Sequence, residues 1–224
     1  MLKNAAVQRS RWSDRLRRVL CALLAIAGLG ASAPSYPAFA EATIIGDVTR
    51  LKPEVGARLL GVVRVLAVGA EVHRDEQVWT SRSARLDIKF IDGSTVVLGE
   101  NARLVLDKFV LPESEGAGTQ VLRSISGALR FLGGNVDRSG IGASRIITPM
   151  AIVTVRGTDF FAGPIDGAYG VFVFEGAVEV ANGGGSVMLK AGEGTTLTRS
   201  SVAPTPPIVW GAAKIARAER LVGY

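Results

Sequence analysis

Residues 146–161 constrain the fold more than any other stretch, because their apolar side chains follow no helical period. Thr148-Pro149 marks a turn, since a residue before proline is pushed toward extended backbone angles. Residues 151–155 are apolar and β-branched, which predicts a strand buried on at least one face. Arg156-Gly157-Thr158 interrupts that run with a charge and a conformationally free residue, and Phe160-Phe161 resumes it. A charge set in so apolar a stretch needs a partner, so Arg156 is expected to pair with a carboxylate or with turn carbonyls.

The same grammar recurs along the chain. Residues 43–47, 60–65, 68–72 and 77–81 are short β-branched runs punctuated by glycine, with Pro53 marking a break. In 84–91, Leu86, Ile88 and Phe90 alternate with Asp87 and Lys89, as in a half-buried strand. Asp92-Gly93 turns the chain into 95–98, and residues 102–110 alternate again. Strands are expected within 121–131, broken near Ser126-Gly127, between a mobile polar loop at 112–118 and a second loop at 133–144. Past the central stretch, Gly163-Pro164 and Asp166-Gly167 read as turns. Residues 169–174 and 176–181 read as a hairpin about Glu175-Gly176. Residues 182–185 return the chain to 187–189, and 194–198 is the last expected core strand.

These signals predict an all-β fold, a short irregular solenoid-like or sandwich-like stack of glycine-punctuated strands. Gly69, Gly127 and Gly176 open similar units at unequal separations, so no regular repeat is present. After a proline-rich connector at 203–207, residues 208–222 carry the helical pattern of the mature chain. Trp210, read as exposed beside that helix, is expected to cap the end of the stack or to touch a partner.

The net charge of +6 suggests nucleic acid or membrane only until it is located. Residues 1–40 hold six basic residues and one acidic, so the remainder is nearly neutral and nucleic acid is not an expected partner. A basic stretch ending at Arg18, an apolar run from Val19 to Ala33 and Ala38-Phe39-Ala40 form the three parts of a secretory signal. Cleavage after Ala40 is expected, which places the mature chain in the periplasm or at the cell surface. The apolar run is about fifteen residues, short of the roughly twenty that span a bilayer; retention as an anchor is the alternative, and the only membrane contact foreseen. Cys21, the only cysteine, lies inside that segment, so no disulfide or thiolate metal site is expected afterwards.

No catalytic set is assembled by the sequence. His73 is the only histidine, which leaves no zinc site built on histidines and no serine or cysteine triad; beside Arg74 and Asp75 it reads as a solvated turn residue. Asp92, Asp166 and Glu175 each precede glycine and read as turn formers, although paired carboxylates of a glycosidase type stay open on sequence alone. No metal or other cofactor is expected. Trp79 and Trp210 are the two tryptophans outside the signal and the tentative partner contacts.

Thr148-Pro149, then residues 155–160 with Arg156, Gly157, Thr158 and Phe160, then residues 173–180 with Glu175 and Gly176, resemble the core signature of the FecR domain. The likeness extends upstream through 92–98 and 127–131 and downstream to 191–193, covering about 65–198. Domain organisation follows as a signal at 1–40, lead-in strands at 41–64, a FecR-like β domain at 65–200 and a connector with a short helix at 201–224. The resemblance implies a β-rich cell-envelope module that works through protein contacts, its signature residues being structural. Characterised regulators of this family carry a cytoplasmic sigma-factor-binding region before a membrane helix. Only about eighteen residues precede the apolar run here, too few for such a region, so a stand-alone exported protein without a direct anti-sigma role is expected. The function expected is a non-enzymatic binding or signalling module with envelope-protein partners. The alternative is a structural or adhesive component that binds polysaccharide through Trp79 or Trp210.

Overall fold

A computed structural model describes residues 42–111, 118–138 and 144–224. The export segment expected at 1–40, residues 112–117 of the first loop and the partner of the Arg156 side chain lie outside what is described. Two long strands form the spine: β12 (Ile152–Ile165) and β13 (Ala168–Asn182), paired antiparallel from Ile152↔Ala181 to Ile165↔Ala168. They are joined at Asp166-Gly167, whose φ values of 52° and 79° make the left-handed two-residue turn that matches strand twist.

Midway, the register shifts between Arg156 and Phe160. Gly157 and Gly176 face each other there with φ of 58° and 82°. Gly176 is doubly required, because a Cβ would also lie 2.6 Å from the Gly157 carbonyl oxygen. The Thr158 hydroxyl fastens the kink by donating to the Ala177 carbonyl at 2.7 Å.

This kink divides the sheet into two arms. Before it, β12 pairs with β11 (Ser144–Ile147), which continues through β9 (Thr119–Ser126), β8 (Arg103–Val110), β5 (Gln77–Thr80) and β2 (Val55–Leu59) to β3 (Val62–Val65). After it, β12 pairs with β10 (Leu129–Leu132), which continues through β7 (Thr95–Leu98), β6 (Arg85–Phe90) and β1 (Ile44–Lys52) to β4 (Glu71–His73). The other edge of β13 carries β14 (Gly185–Lys190) and β15 (Glu193–Leu197), and β15 pairs with β16 (Ile208–Val209). The result is one mixed sheet, folded over on itself without closing.

The inner faces of both arms share one aliphatic core. Val78, Leu104, Leu122 and Ile146 come from one arm, and Val48, Ile88, Phe90 and Val96 from the other. Phe90 of β6 stacks on Phe109 of β8 at 5.7 Å, which joins the arms directly. Phe131 and Phe160 are fully buried with centroids 5.9 Å apart, and each such side chain stabilises the fold by about 1.5–3 kcal/mol relative to exposure. A buried polar chain also crosses the gap. Asp92 accepts from the Ser94 hydroxyl at 2.6 Å, Gln120 donates to Ser94 at 3.2 Å, and Ser144 reaches Gln120 at 3.3 Å.

Several expectations change. Glu175-Gly176 is no hairpin turn: 169–181 lie within the single strand β13, because β12 runs alongside both halves and a one-residue kink keeps them paired. Gly163-Pro164 likewise lies inside β12, where a Cβ at Gly163 would meet Ala128 at 2.5 Å. The second loop contains a four-residue helix, α1 (Asn135–Arg138), whose first turn is held by Asp92. The C-terminal helix, α2 (Ala212–Val222), starts later than 208, because Ile208-Val209 pairs with β15 instead. Gly69, Gly127 and Gly176 do share one conformation, with φ between 80° and 82°.

Candidate functional site

Six of the eight signature residues, from Arg156 to Gly176, surround the kink, while Thr148 and Pro149 form the turn before β12. The Thr148 hydroxyl staples the β11–β12 turn: it donates to the Ala151 carbonyl at 2.7 Å and accepts from the Ala151 amide at 3.0 Å, while Pro149 stays exposed. Phe160 is buried in the core, and Glu175 is exposed. Asp159, between signature positions, is gripped in a fork by Arg130 of β10 (Nε–Oδ1 2.8 Å), whose guanidinium also covers the Phe174 ring at 4.3 Å. These contacts tie β10 to the spine at the point where the arms part.

The exposed apolar surface lies elsewhere, at the end of the first arm. Leu60, Val62, Val63, Val65 and Val68 are between 55% and 85% exposed. Isolated exposed aliphatics are ordinary, but Val63 and Val65 share one face and make a small apolar patch there, while Val62 points to the other face. Cross-strand pairing puts Val65, Gly56, Trp79 and Arg103 in one outer row, with Val63, Arg58, Gln77 and Val105 in the next. Trp79, half-buried, lies over Gly56, where a Cβ would be 2.4 Å from its ring. The structure therefore brings one of the two tryptophans singled out from sequence onto this patch.

β3 is also an open edge, since β2 is its only strand partner. In an antiparallel ladder, alternate residues turn their N–H and C=O toward the neighbouring strand. The Leu66 amide donates to the Val55 carbonyl at 3.1 Å, so by register Val62 and Arg64 face β2. Val63 and Val65 direct their backbone groups to the unpaired side. The one charge on β3 does not guard that side. Arg64 turns inward and forks onto Glu76 (Nε–Oε1 and Nη2–Oε2 both 2.9 Å), with a further bond to the Glu71 carbonyl.

Glu76 itself is fully buried, and sequence reading passed over it. The signal was present: counting back by twos from the buried Val78 and Thr80 sets Glu76 on the inner face of β5's lead-in. His73 is accordingly not a solvated turn residue. It ends β4, its amide donates to Glu76 at 3.0 Å, and its Nδ1 lies 3.4 Å from the same carboxylate.

Trp210 behaves in the opposite way to Trp79. Expected exposed, it is 3% exposed, stacked on Phe172 at 5.0 Å and covered by the Lys214 ammonium at 4.1 Å. Gly170 and Gly194 leave the room it occupies, and its Nε1 has no hydrogen-bond partner. With Phe161, Ile165, Ala218 and Val222 it forms a second core between the outer face of the spine and α2. This covering segment is tied at its far end. Arg85 donates to the Gly223 and Arg220 carbonyls, Tyr224 donates to Asp87 at 2.8 Å, and Arg50 covers the Tyr224 ring while pairing with Asp87. Capping of helix C-terminal carbonyls by a cation is favourable on dipole grounds.

An open cleft of about 1110 Å³ lies beside α2, between the Asp166 turn and Leu197. Three of its charged groups are engaged: Arg217 forks onto Asp166 at 2.8 Å and holds that carboxyl below its usual value, and Arg85 serves the helix end. Burial pushes the Tyr169 phenol up to about 12; its hydroxyl, enclosed near Thr148 and Ser124, makes no well-formed hydrogen bond. Among the described residues, no three histidine, cysteine or carboxylate side chains converge as a metal site.

Comparison with known proteins bears on the β domain. The family model described as FecR protein matches residues 76–179, from the start of β5 into β13, leaving β1 to β4, β14 to β16 and α2 outside the match. No curated protein matches the chain in sequence. Two crystal structures of a candidate anti-sigma factor from Parabacteroides distasonis share the fold, with TM-scores of 0.51 and 0.50 and 18% identity in each case. Each likeness covers 62% of this chain and 62% of that protein. The match takes in the kink, most of the spine and the inner strands of both arms, and residues 76–179 of this chain are a FecR domain.

Proposed function

We propose that this chain is an exported, non-enzymatic module that acts in the bacterial envelope, in the periplasm or at the cell surface, by binding other proteins. The observation that carries the reading is the exposed apolar face made by Val63 and Val65 of β3 with Trp79 beside them. A monomer seldom leaves such a surface uncovered unless something docks there. The FecR domain and the likeness to a candidate anti-sigma factor support a signalling role at a coarse level. The signal-like segment at 1–40 supports export, with cleavage after Ala40.

The partner chemistry favours protein over polysaccharide. Trp210, one of the two residues a sugar could stack on, is buried in the second core, which leaves Trp79 alone on its face. Chemical crosslinking of the chain in its native envelope, followed by mass spectrometry, tests the reading. Reproducible crosslinks to one or a few envelope proteins are expected. Recovery of the chain in the cytoplasm, or capture by glycan with no protein crosslink, would overturn it.

A further inference from the structure

We propose that β3 is the docking edge of the module and that its occupant is an extended, acidic-apolar segment of a partner protein, added as a further strand. The inference rests on the protein-binding reading above and names where and what it binds. Four observations carry it. First, the backbone groups of Val63 and Val65 point to the open side, and among the described residues no strand pairs with them. Such groups are a template for a new strand. Second, the usual protection is missing, because the only charged residue of β3 is turned inward onto Glu76. Third, the outer side chains next to the edge, Val63, Val65 and Trp79, offer apolar contacts at alternate positions, as strand addition requires.

The fourth observation selects the occupant. The two outer rows contain no carboxylate and two exposed arginines: Arg58, one strand in from the edge and within reach of an added strand, and Arg103, three strands in, which adds only to the charge of the face. Among the described residues neither arginine forms an ion pair. Charge complementarity therefore favours carboxylates at the positions of the incoming strand that face this surface. The same two cations argue against a second copy, since pairing β3 with β3 would bring the arginines of both chains to one face. The remaining edges are poorer templates: β4 has three residues and β16 two, and the six-residue β14, although open beyond β13, offers Met188 as its only exposed large apolar side chain and carries Lys190 at its end.

Val65→Pro is the central variant. It removes an N–H that faces the open side and leaves the ladder to β2 intact, which is where a strand tolerates proline. Arg58→Ser with Arg103→Ser removes the charge preference through surface changes that leave the core alone. The probes are short capped peptides alternating valine with glutamate or valine with lysine. The purified full chain is expected to bind the glutamate peptide in preference to the lysine peptide and to protect the Val63 and Val65 amides from exchange. Val65→Pro is expected to weaken binding roughly tenfold or more, as is the double arginine variant. Equal binding of the two peptides, or unchanged binding by the double arginine variant, overturns the inference.

Photo-crosslinkers at Val63 and at Met188 of β14, read in the native envelope, separate this inference from the broader one. Partner crosslinks from position 63 support both. Crosslinks from 188 alone, or from 63 to a second copy or to residues 1–41 of the chain itself, overturn the β3 assignment. No crosslink from either position, together with none in the chemical experiment, overturns the protein-binding reading itself.

Discussion

Two tryptophans lie on outer faces of the same folded sheet and have opposite fates. On the spine, Trp210 sits under helix α2 with Phe172 against its ring and two glycines opening space beneath it. On the far arm, Trp79 also lies over a glycine, but it stays partly in contact with water and the valines beside it are exposed. Both faces are apolar for the same physical reason, that a sheet built from β-branched alternation cannot hide every side chain inside. The difference teaches that this fold covers one apolar face with its own C-terminal segment and leaves the other open. A face completed internally contributes to stability; a face left open is available for recognition.

The sharpest way to break the comparison is to remove each ring in turn. Trp210→Ala empties the middle of the second core, and deletion of a fully buried tryptophan costs about 3–5 kcal/mol. Urea unfolding followed by circular dichroism should show that loss, with α2 fraying first because Ile215, Ala218 and Val222 pack around the same cluster. A loss below about 1 kcal/mol would mean that the helix does not need the ring, and the contrast between the faces would fail.

Next in size is Glu76→Gln, which tests how β3 is held while its edge stays open. The change leaves the Arg64 guanidinium without its counter-charge. Breaking a fully buried pair costs about 3–5 kcal/mol, and about 2–3 kcal/mol is expected here, because the Arg64 side chain is 34% exposed. Hydrogen exchange should localise the loosening to β2, β3 and β4, with β12 and β13 unchanged.

Trp79→Ala should behave differently from Trp210→Ala. The ring is only partly exposed, so a loss of about 1–2 kcal/mol is expected, below that of a fully buried tryptophan. Its larger effect should be on partner capture in the envelope. If Trp79→Ala destabilised as much as Trp210→Ala, the far arm would be a core face rather than a recognition face.

How much of this was readable beforehand varies with the range of the interaction. The β6–β7 hairpin was legible because alternation and Asp92-Gly93 are both local signals. Glu175-Gly176 carries almost the same local signal, yet the chain does not turn there, because the choice is made by β12 across the ladder. Only the Asp166-Gly167 pair, where β12 has already ended, reverses the strand. Trp210 was misread for a similar reason. The glycines that admit it, Gly170 and Gly194, precede it by whole strands, and no periodicity near residue 210 reports them. Residues 60–68 were legible as strand but not as edge, since edges are a property of sheet order. The kink itself was visible as an interruption at Arg156-Gly157-Thr158, but its consequence, two arms, belongs to the pairing.

The smallest effect concerns how firmly the covering segment is latched, and it appears through pH. The Tyr224 phenol is held above its usual value, first by burial and then by its hydrogen bond to the Asp87 carboxylate. A group whose folded pKa is raised contributes fully below its unfolded value near 10 and loses that contribution as pH rises through the folded value. The latch should therefore weaken above about pH 10, where the unfolded chain releases the phenol proton and the folded one retains it. Asp166, held low by Arg217, works at the other end of the scale: its contribution is present above the usual carboxylate range and disappears on acidification. That pair is exposed and screened by salt, so its share is minor. Comparing Tyr224→Phe with the unaltered chain isolates the alkaline arm, since phenylalanine keeps the ring under Arg50 and has no proton to lose. The unaltered chain should lose more stability than Tyr224→Phe between pH 9 and pH 11, and the near-ultraviolet signal of Trp210 should change with it. Parallel losses in the two proteins would show that Tyr224 merely rests against the sheet, and that the second core alone keeps α2 in place.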